Sequence, residues 1–326
     1  MKPRDNDYLW DGSGEPDPEI QHLERLLAGF RSQRPAPALS AARARSGARF
    51  RWGAIAAALV LTATGAWLVS GGPSESWQVA RLGAAPARLS VGETLETGAA
   101  GHATLNVANV GTIDVDPDSR LRLESARPHD QRMSLEHGVI HAFIWAPPRT
   151  FVVDTPSAVA TDLGCYYTLE TDRDGVGLLT VLAGWVSIAH DGRESFIPAG
   201  AACRTRPHHG PGTPYREQAS PAFRHALDDL DFANGGDPAL ATVLAGATKD
   251  DAFTLWHLLI RVDQTQRTRV YDALQSFVPP PAGVTREGIL RADRPMLDQW
   301  WNQLGLGNAG WWRGLVAKVP GGSGAR

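Results

Sequence analysis

Residues 53–72 read GAIAAALVLTATGAWLVSGG and contain no charged side chain. A helix rises about 1.5 Å per residue, so about 20 residues span the roughly 30 Å hydrocarbon core of a bilayer. Trp52 stands at one edge of the run, and Trp67 and Trp77 stand near the other, where amphipathic indoles suit the headgroup level. A buried core helix would normally keep a polar face, and a cleaved signal peptide would not follow 52 residues of other sequence. The stretch therefore predicts one transmembrane helix.

The two flanks of this run differ in charge. Four arginines precede it: Arg43, Arg45, Arg49 and Arg51. Glu75 follows it, and the next basic residue is Arg81. Because positively charged flanks stay in the cytoplasm, the pattern places the N-terminus inside and the C-terminal bulk outside. The arginines would also meet anionic membrane lipid.

The length and charge of the whole chain limit its class. The chain has 326 residues, which suggests two or three domains, and its net charge of −3 provides no general attraction to nucleic acid. The charge is segregated, since residues 1–30 hold seven acidic and three basic side chains while residues 31–52 hold six arginines and no acid. We therefore expect no nucleic-acid partner.

Residues 1–52 are too few to build a core and predict a cytoplasmic segment with a short amphipathic helix. Asp17-Pro18 is a typical start for that helix. Its partner-binding candidates are apolar, and the last four share one helical face: Tyr8, Leu9, Trp10, Ile20, Leu23, Leu27 and Phe30. A helix of about 12 residues is marginal in water, so the exposed stripe favours folding onto a partner. Alternatively, the stripe lies on the membrane surface or on another part of the chain.

Residues 78–206 alternate apolar and polar side chains over short runs that are separated by Gly, Asp and Pro. This alternation is typical of β-strands. Asp174-Gly175 and Asp191-Gly192 lie at the ends of such runs and are hairpin signals, because glycine readily adopts positive φ. No helical period interrupts the runs. The region predicts an all-β domain, either a two-layer sandwich or a solenoid-like fold.

From residue 220 the apolar period becomes helical, and residues 220–319 predict a small α-helical domain. Ser220-Pro221 starts the first helix, and Thr248 with Asp251 resembles a capping box. Further helices are predicted near 264–277 and 293–304, and the short loops between them indicate antiparallel packing. Residues 320–326 predict a disordered tail.

Four tryptophans are unusually dense near the C-terminal end: Trp300, Trp301, Trp311 and Trp312. Packing in a core or at a membrane interface is the simpler interpretation, and a platform for a partner or a glycan is the alternative.

The two cysteines, Cys165 and Cys203, both fall on the predicted outer side of the membrane. An oxidising compartment permits a disulfide, and the loop between them would contribute roughly 3–4 kcal/mol in the chain-entropy account. We therefore predict a structural disulfide. Two buried free thiols or a labile redox pair are the alternatives.

Other reactive side chains form no convincing set. His137 and His141 on one strand would lie about 13 Å apart, too far to share an ion unless the strand bends between them. Asp114, Asp116 and Asp118 lack the glycine and the distant glutamate of a calcium loop, and His208-His209 fits a surface loop. No serine-hydrolase, zinc-protease or phosphate-loop motif occurs. We predict no catalytic residue, no metal and no cofactor.

Four stretches together resemble the FecR-type periplasmic domain in their order. They are TGAAGHATLNVANVGTIDVDPDSRLRL (97–123), GVIHAF (138–143), FVVDTPSAVATDLGCYYTLE (151–170) and LLTVLAGWVSI (178–188). The resemblance extends over roughly residues 90–205. The chain departs from the family at Gly164-Cys165, where Gly-Thr is usual, and in its helical C-terminal region, where iron-siderophore members often have a small α/β domain.

This resemblance implies a membrane protein that regulates an extracytoplasmic-function sigma factor. The N-terminal segment would bind the sigma factor, one helix would cross the bacterial inner membrane, and the remaining domains would act as a periplasmic sensor. The predicted protein is a signalling regulator and not an enzyme. The alternative is an envelope-binding or scaffold protein, whose outer domains bind an unknown periplasmic protein or polymer and whose cytoplasmic part serves only insertion.

Overall fold

A computed structural model describes residues 76–81 and 87–307 of the chain. These residues belong to one compact unit of the chain, Gly71–Arg326. The predicted cytoplasmic segment at 1–52, the predicted transmembrane helix at 53–72 and the predicted tail at 320–326 lie outside the described residues. Within the described ranges, no helix is both long and apolar enough to cross a bilayer.

β-Strands occupy the first part of the described chain, and six helices follow, so the predicted order of a β region and then a helical region is confirmed. The strands of the first half are β1 (Ser76–Arg81), β2 (Ala87–Ser90), β3 (Thr94–Glu96), β4 (Ala103–Val107), β5 (Gly111–Val115), β6 (Arg120–Arg127), β7 (Asp130–Ile144) and β8 (Phe151–Asp154). The remaining strands are β9 (Val159–Asp162), β10 (Cys165–Thr171), β11 (Gly177–Ala183), β12 (Trp185–His190), β13 (Arg193–Pro198), β14 (Ala201–Arg206), β15 (Gly210–Pro211) and β16 (Tyr215–Arg216).

The strands pair into two sheets that share β7. The first sheet contains β1, β2, β4, β5, β10, β11, β14, β15 and β16 with the second half of β7. The second sheet contains β3, β6, β8, β9, β12 and β13 with the first half of β7. Among the described strands the pairing is antiparallel except between β7 and β8.

β7 changes sheets at His137 and Gly138. His137 pairs with Arg120 in the second sheet, whereas Gly138 pairs with Thr171 in the first. Gly138 has φ +108°, and a Cβ there would lie 2.2 Å from the Ser119 hydroxyl oxygen. Only glycine avoids both penalties, so this residue lets one strand continue through both sheets.

Two predicted hairpins are confirmed. His190 pairs with Arg193, which leaves Asp191 and Gly192 as the turn, and both have positive φ (45° and 79°). This is the two-residue geometry whose twist matches that of the flanking strands. Between β10 and β11, the Asp172 carboxylate accepts hydrogen bonds from two backbone N–H groups of the turn, at 2.9 and 2.8 Å.

Alternating side chains from both sheets fill one hydrophobic core, as the sequence pattern predicts. In β4 and β5, the alternate residues Leu105 and Ile113 are buried and pair across the strands. Trp77 of β1 also points into this core. Its indole N–H donates to Gln131 (2.7 Å), and its ring contacts Phe151 of the other sheet. The expectation that Trp77 anchors the chain at the bilayer surface is therefore wrong, because strand alternation turns it inward.

The helices are α1 (Pro221–Phe232), α2 (Gly236–Gly246), α3 (Ala252–Leu259), α4 (Gln264–Phe277), α5 (Arg286–Leu290) and α6 (Arg294–Gln303). Their predicted starts are confirmed at two points. The Ser220 hydroxyl accepts from the Phe223 N–H, and Thr248 with Asp251 forms a capping box on a 3₁₀ turn before α3. The helix α5 was not anticipated, because five residues are too short to display a helical period.

Two of the dense tryptophans are core residues. Trp300 and Trp301 are fully buried. Trp300 packs on Tyr271 and donates its indole N–H to the carbonyl of Val278 (3.1 Å). The core interpretation is thus correct for this pair, while Trp311 and Trp312 lie outside the described residues.

Candidate functional site at the junction of the sheets and the helices

A buried ionic group joins the second sheet to the helices. Asp231 of α1 has only 3% of its side chain exposed. Arg193 of β13 donates to one oxygen of this carboxylate at 2.5 Å, and the Thr213 backbone N–H donates to the other at 2.5 Å. Arg261, just after α3, lies 3.6 Å from the same carboxylate. One acidic side chain from the helices is therefore neutralised by arginines from both sides of the junction.

Arg261 is the most deeply buried cation of this group. Its guanidinium donates to the Thr213 hydroxyl (2.9 Å), the Glu194 carbonyl (2.9 Å) and the Ser195 hydroxyl (2.7 Å). Burial lowers the pKa of Arg261 to about 10, and the charge of Asp231 limits the fall. The side chain stays charged at neutral pH, and its fork geometry holds β13 against the helices.

His257 of α3 adds a second polar link. Its Nδ1 lies 2.7 Å from the Phe253 carbonyl, and its Nε2 lies 3.2 Å from the Phe196 backbone N–H. The carbonyl requires a donor and the N–H requires an acceptor, so these contacts select the neutral tautomer with the proton on Nδ1. A helix side chain thereby accepts a hydrogen bond from a β13 backbone donor.

Aromatic rings fill the space around these polar links. Trp185 stacks on Phe196 with a centroid distance of 5.1 Å, and Phe196 meets Trp301 edge-on at 5.4 Å. Trp301 also contacts Trp256 at 4.8 Å and His257 at 5.7 Å. Large buried rings in such arrangements contribute packing beyond their area. The sheet and the helices are therefore joined by closely packed aromatic rings.

The junction is suited to mechanical coupling. Its polar groups are bonded to one another across the contact, so a displacement of the helices must move β13 or break buried hydrogen bonds. Within residues 76–81 and 87–307, no group of three His, Cys, Asp or Glu side chains is placed to hold a metal ion. The junction therefore joins the sheets and the helices through buried hydrogen bonds and packed rings.

The predicted disulfide between Cys165 and Cys203 is wrong, since both thiols are free and buried. Cys203 pairs with Leu179, and Leu179 pairs with Leu169, so two strand spacings separate β14 from β10. Cys165 lies four residues before Leu169, roughly 13 Å along the strand. A disulfide needs Cα atoms about 5.5 Å apart. The alternative of two buried free thiols is the correct one.

Cys165 instead bonds to a buried carboxyl group. Its thiol donates to Asp162, and the Gly164 N–H donates to the other oxygen of that carboxyl at 2.6 Å. Burial raises the pKa of Asp162 to about 7, although these two donors oppose the rise. Burial also raises the pKa of the Cys165 thiol, and it raises the pKa of Cys203 to about 12. Neither thiol forms an appreciable thiolate at neutral pH, so both are poor nucleophiles.

The histidines and aspartates considered in the sequence have separate partners. His141 lies between Asp116 (3.1 Å) and Thr168 (3.0 Å), while His137 lies beyond the bend of β7 in the other sheet. Asp114 accepts from the Thr104 hydroxyl at 2.7 Å. His209 lies in the turn before β15, with its Nδ1 3.1 Å from the Pro207 carbonyl.

The predicted contact residues of the N-terminal segment lie outside the described residues. They are Tyr8, Leu9, Trp10, Ile20, Leu23, Leu27 and Phe30, together with the topology residues Arg43, Arg45, Arg49 and Arg51. Their roles stay predictions.

Sequence reasoning missed Asp231, His257 and Arg261. Their partners across the junction lie 18 to 67 positions away in sequence. One signal was available, because Arg261 lies two residues after a strongly apolar helix, where an unpaired charge is costly.

Part of the chain matches a known protein family. Residues 93–187 match the family described as FecR protein. Two crystal structures of a candidate anti-sigma factor from Parabacteroides distasonis ATCC 8503, at 2.50 and 1.65 Å resolution, are similar at 14% identity with a TM-score of 0.34. Each match covers 40% of this chain and 64% of that chain, so the chain spans less than two thirds of their length.

A TM-score this low carries no argument about fold or function. No curated protein matches the chain. The match over residues 93–187 extends into β12 and includes most of the stretches whose order resembles the family. The chain is therefore a protein with a FecR-type domain.

Proposed function

We propose that this protein is a membrane-anchored regulator of an extracytoplasmic-function sigma factor in the bacterial inner membrane. The observation that carries the proposal is the FecR match over residues 93–187. The order of parts in the sequence agrees with it, because an apolar-striped segment at 1–52 precedes an uncharged run at 53–72 and then the folded domain. The folded part would be the periplasmic sensor.

The sigma-binding element of the proposal is the helix with Ile20, Leu23, Leu27 and Phe30. A short helix that folds on its partner gives reversible binding, because part of the contact energy is used to order the chain. Such binding can be released by a modest change in the periplasmic part. This is the behaviour that a switchable regulator requires.

The junction of the sheets and the helices supports a sensor of two coupled parts. Arg261 and Asp231 link the helices to β13, and Trp301 packs on Phe196. A ligand that moves the helices would therefore also displace the FecR-type domain. We propose that the signal enters through this combined periplasmic body and is transmitted along the single membrane helix.

The experiment is capture of a sigma factor by the full-length protein from detergent-solubilised membranes. We expect capture by the native chain and loss of at least 90% of it when Leu23→Asp and Leu27→Asp are combined. The matched control combines Gln21→Asp with His22→Asp, which adds two carboxylates off the apolar face and leaves capture unchanged.

Absence of any captured sigma factor from the native chain contradicts the proposal. It would favour the envelope-binding alternative, provided that the protein is found in the membrane fraction. Equal loss in the control pair would show that charge, and not the apolar face, is responsible.

A further inference from the structure

An exposed aromatic cluster lies at one end of the first sheet. Its members are Phe143 (52% exposed), Trp145 (55%), Tyr166 (38%) and Leu182 (50%). The ring of Phe143 contacts Trp145 at 5.5 Å and Tyr166 at 6.0 Å. The junction with the helices uses none of these residues. Contiguous apolar side chains of this size at a surface indicate a contact site.

The strand register places this cluster at the end of the sheet where the described chain begins. Ser76 starts β1, and the pairing of β1 with β4 puts it beside the turn that follows Val107. Trp145 donates its indole N–H to the carbonyl of Asn109 in that turn (3.1 Å). Val91, which follows Ser90, the partner of Ser76, is exposed at the same end.

Three turns beside the cluster are uncharged. The turns at 108–110, 145–148 and 182–184 read ANV, WAPP and LAG, and none contains a charged side chain. Thr112 pairs with Phe143, and the nearest ionisable side chains on this face, Asp114 and His141, form the next pair along the strands. Burying the three turns themselves would therefore desolvate no ionised side chain.

Only a short stretch of sequence separates Ser76 from the predicted membrane helix. That helix ends at Gly72, four residues earlier. Four extended residues reach at most about 14 Å. Three strand spacings, roughly 14 Å, separate β1 from β7, which carries Phe143. If residues 53–72 cross the bilayer, the cluster is thus within reach of the headgroup layer on the outer side.

We propose that Phe143, Trp145, Tyr166 and Leu182 insert into the outer headgroup layer of the membrane that the chain crosses. Trp and Tyr favour this layer, since each has a large apolar ring that carries one polar group. The inference depends on the membrane anchoring in the proposed function. It adds that the lipid surface is a direct partner of the sensor and sets its orientation.

The test measures immersion depth in the full-length protein reconstituted in phosphatidylethanolamine and phosphatidylglycerol vesicles. A spin label is placed at Trp145→Cys or, as a control, at Asp174→Cys in the exposed turn at the opposite end of the sheet. Both native cysteines are buried, so the chain without an added cysteine should take up no label. We expect the ratio of oxygen to nickel-chelate collision rates to be several-fold higher at position 145 than at 174.

Equal ratios at the two positions would overturn the proposal. A ratio at 145 that falls when unlabelled protein is added at fixed lipid would assign the cluster to a second copy and would also overturn it. The proposal would also be overturned by a label that is water-exposed in vesicles but shielded in cells with a permeabilised outer membrane and an intact cell wall. That result would indicate a glycan as the partner. Flotation of the vesicles tests the membrane anchoring separately. A protein that does not float with the vesicles is not anchored in them, and this result refutes the proposed function as well as the contact of the cluster with lipid.

Discussion

At the scale of single residues, Asp162 is the least ordinary group in the described chain. It is a buried carboxyl whose hydrogen-bond donors are a thiol and a backbone N–H. Burial is the dominant influence and raises its pKa from 3.8 to about 7. The group therefore changes charge near neutral pH, inside a core that disfavours the charged form.

The sign of the resulting pH dependence follows from proton binding. Between about pH 4 and 7 the folded protein holds a proton on Asp162 that the unfolded chain has released, so stability falls as the pH rises through this window. This difference in pKa between the folded and unfolded states would lower the free energy of unfolding by at most about 4 kcal/mol across the window. Below pH 4 both states are protonated, and above pH 7 the loss is complete.

We predict that Asp162→Asn weakens this pH dependence. The amide is neutral at every pH, so the free energy of unfolding should change much less between pH 5 and 7.5 than in the native protein. Urea unfolding of the full chain at several pH values measures it. Asp174→Asn, in an exposed turn, is the control and should keep the native slope. An unchanged slope in Asp162→Asn would show that another group titrates.

At the scale of single elements, β7 organises the β region because it pairs in both sheets. Its fifteen residues change sheets at Gly138, whose positive φ and contact with Ser119 exclude a side chain. Hairpins such as the one at Asp191 and Gly192 are local by comparison, since their two strands adjoin in sequence. The bend in β7 therefore connects pairings that hairpins cannot make.

We predict that Gly138→Ala destabilises the protein by at least about 3 kcal/mol, because a strained φ and a steric overlap add. Gly192→Ala is the matched control. Gly192 also has positive φ (79°) but has open space around it, so only the backbone cost of about 1 kcal/mol is expected. Urea midpoints measure both. Similar losses for the two variants would contradict the steric part of the argument.

At the scale of the whole described molecule, the sheets and the helices form one hydrophobic core. Trp300 and Trp301 are adjacent in sequence but contact different parts of this core. Trp301 packs on Phe196 of β13, whereas Trp300 packs on Tyr271 of α4. The two side chains have the same size and burial. Replacing each in turn therefore distinguishes coupling across the junction from packing within the helices.

We predict that Trp301→Ala raises amide hydrogen exchange in β12, β13 and α3 together, while Trp300→Ala raises it chiefly in α4 and α6. Each truncation removes a large buried ring and should cost about 3–5 kcal/mol. Exchange followed by mass spectrometry of the full chain resolves the segments. Native-like exchange in β13 of Trp301→Ala would show that the junction does not couple the parts.

The sequence alone determined the order of strands and helices, the hairpin at Asp191-Gly192 and the caps at Ser220 and Thr248. These features depend on side chains within a few positions of one another, so periodicity and turn chemistry are enough to find them. The FecR resemblance was also readable, because it rests on an ordered series of local patterns.

Only the tertiary structure decided which distant side chains meet. The sequence could not separate a disulfide from two free thiols, because the distance between Cys165 and Cys203 depends on the register of β10, β11 and β14. It could not place Trp77 in the core or bring Arg261 to Asp231, since both contacts join elements far apart along the chain. Such contacts arise from the packing of whole sheets and helices, and local sequence carries no record of that packing.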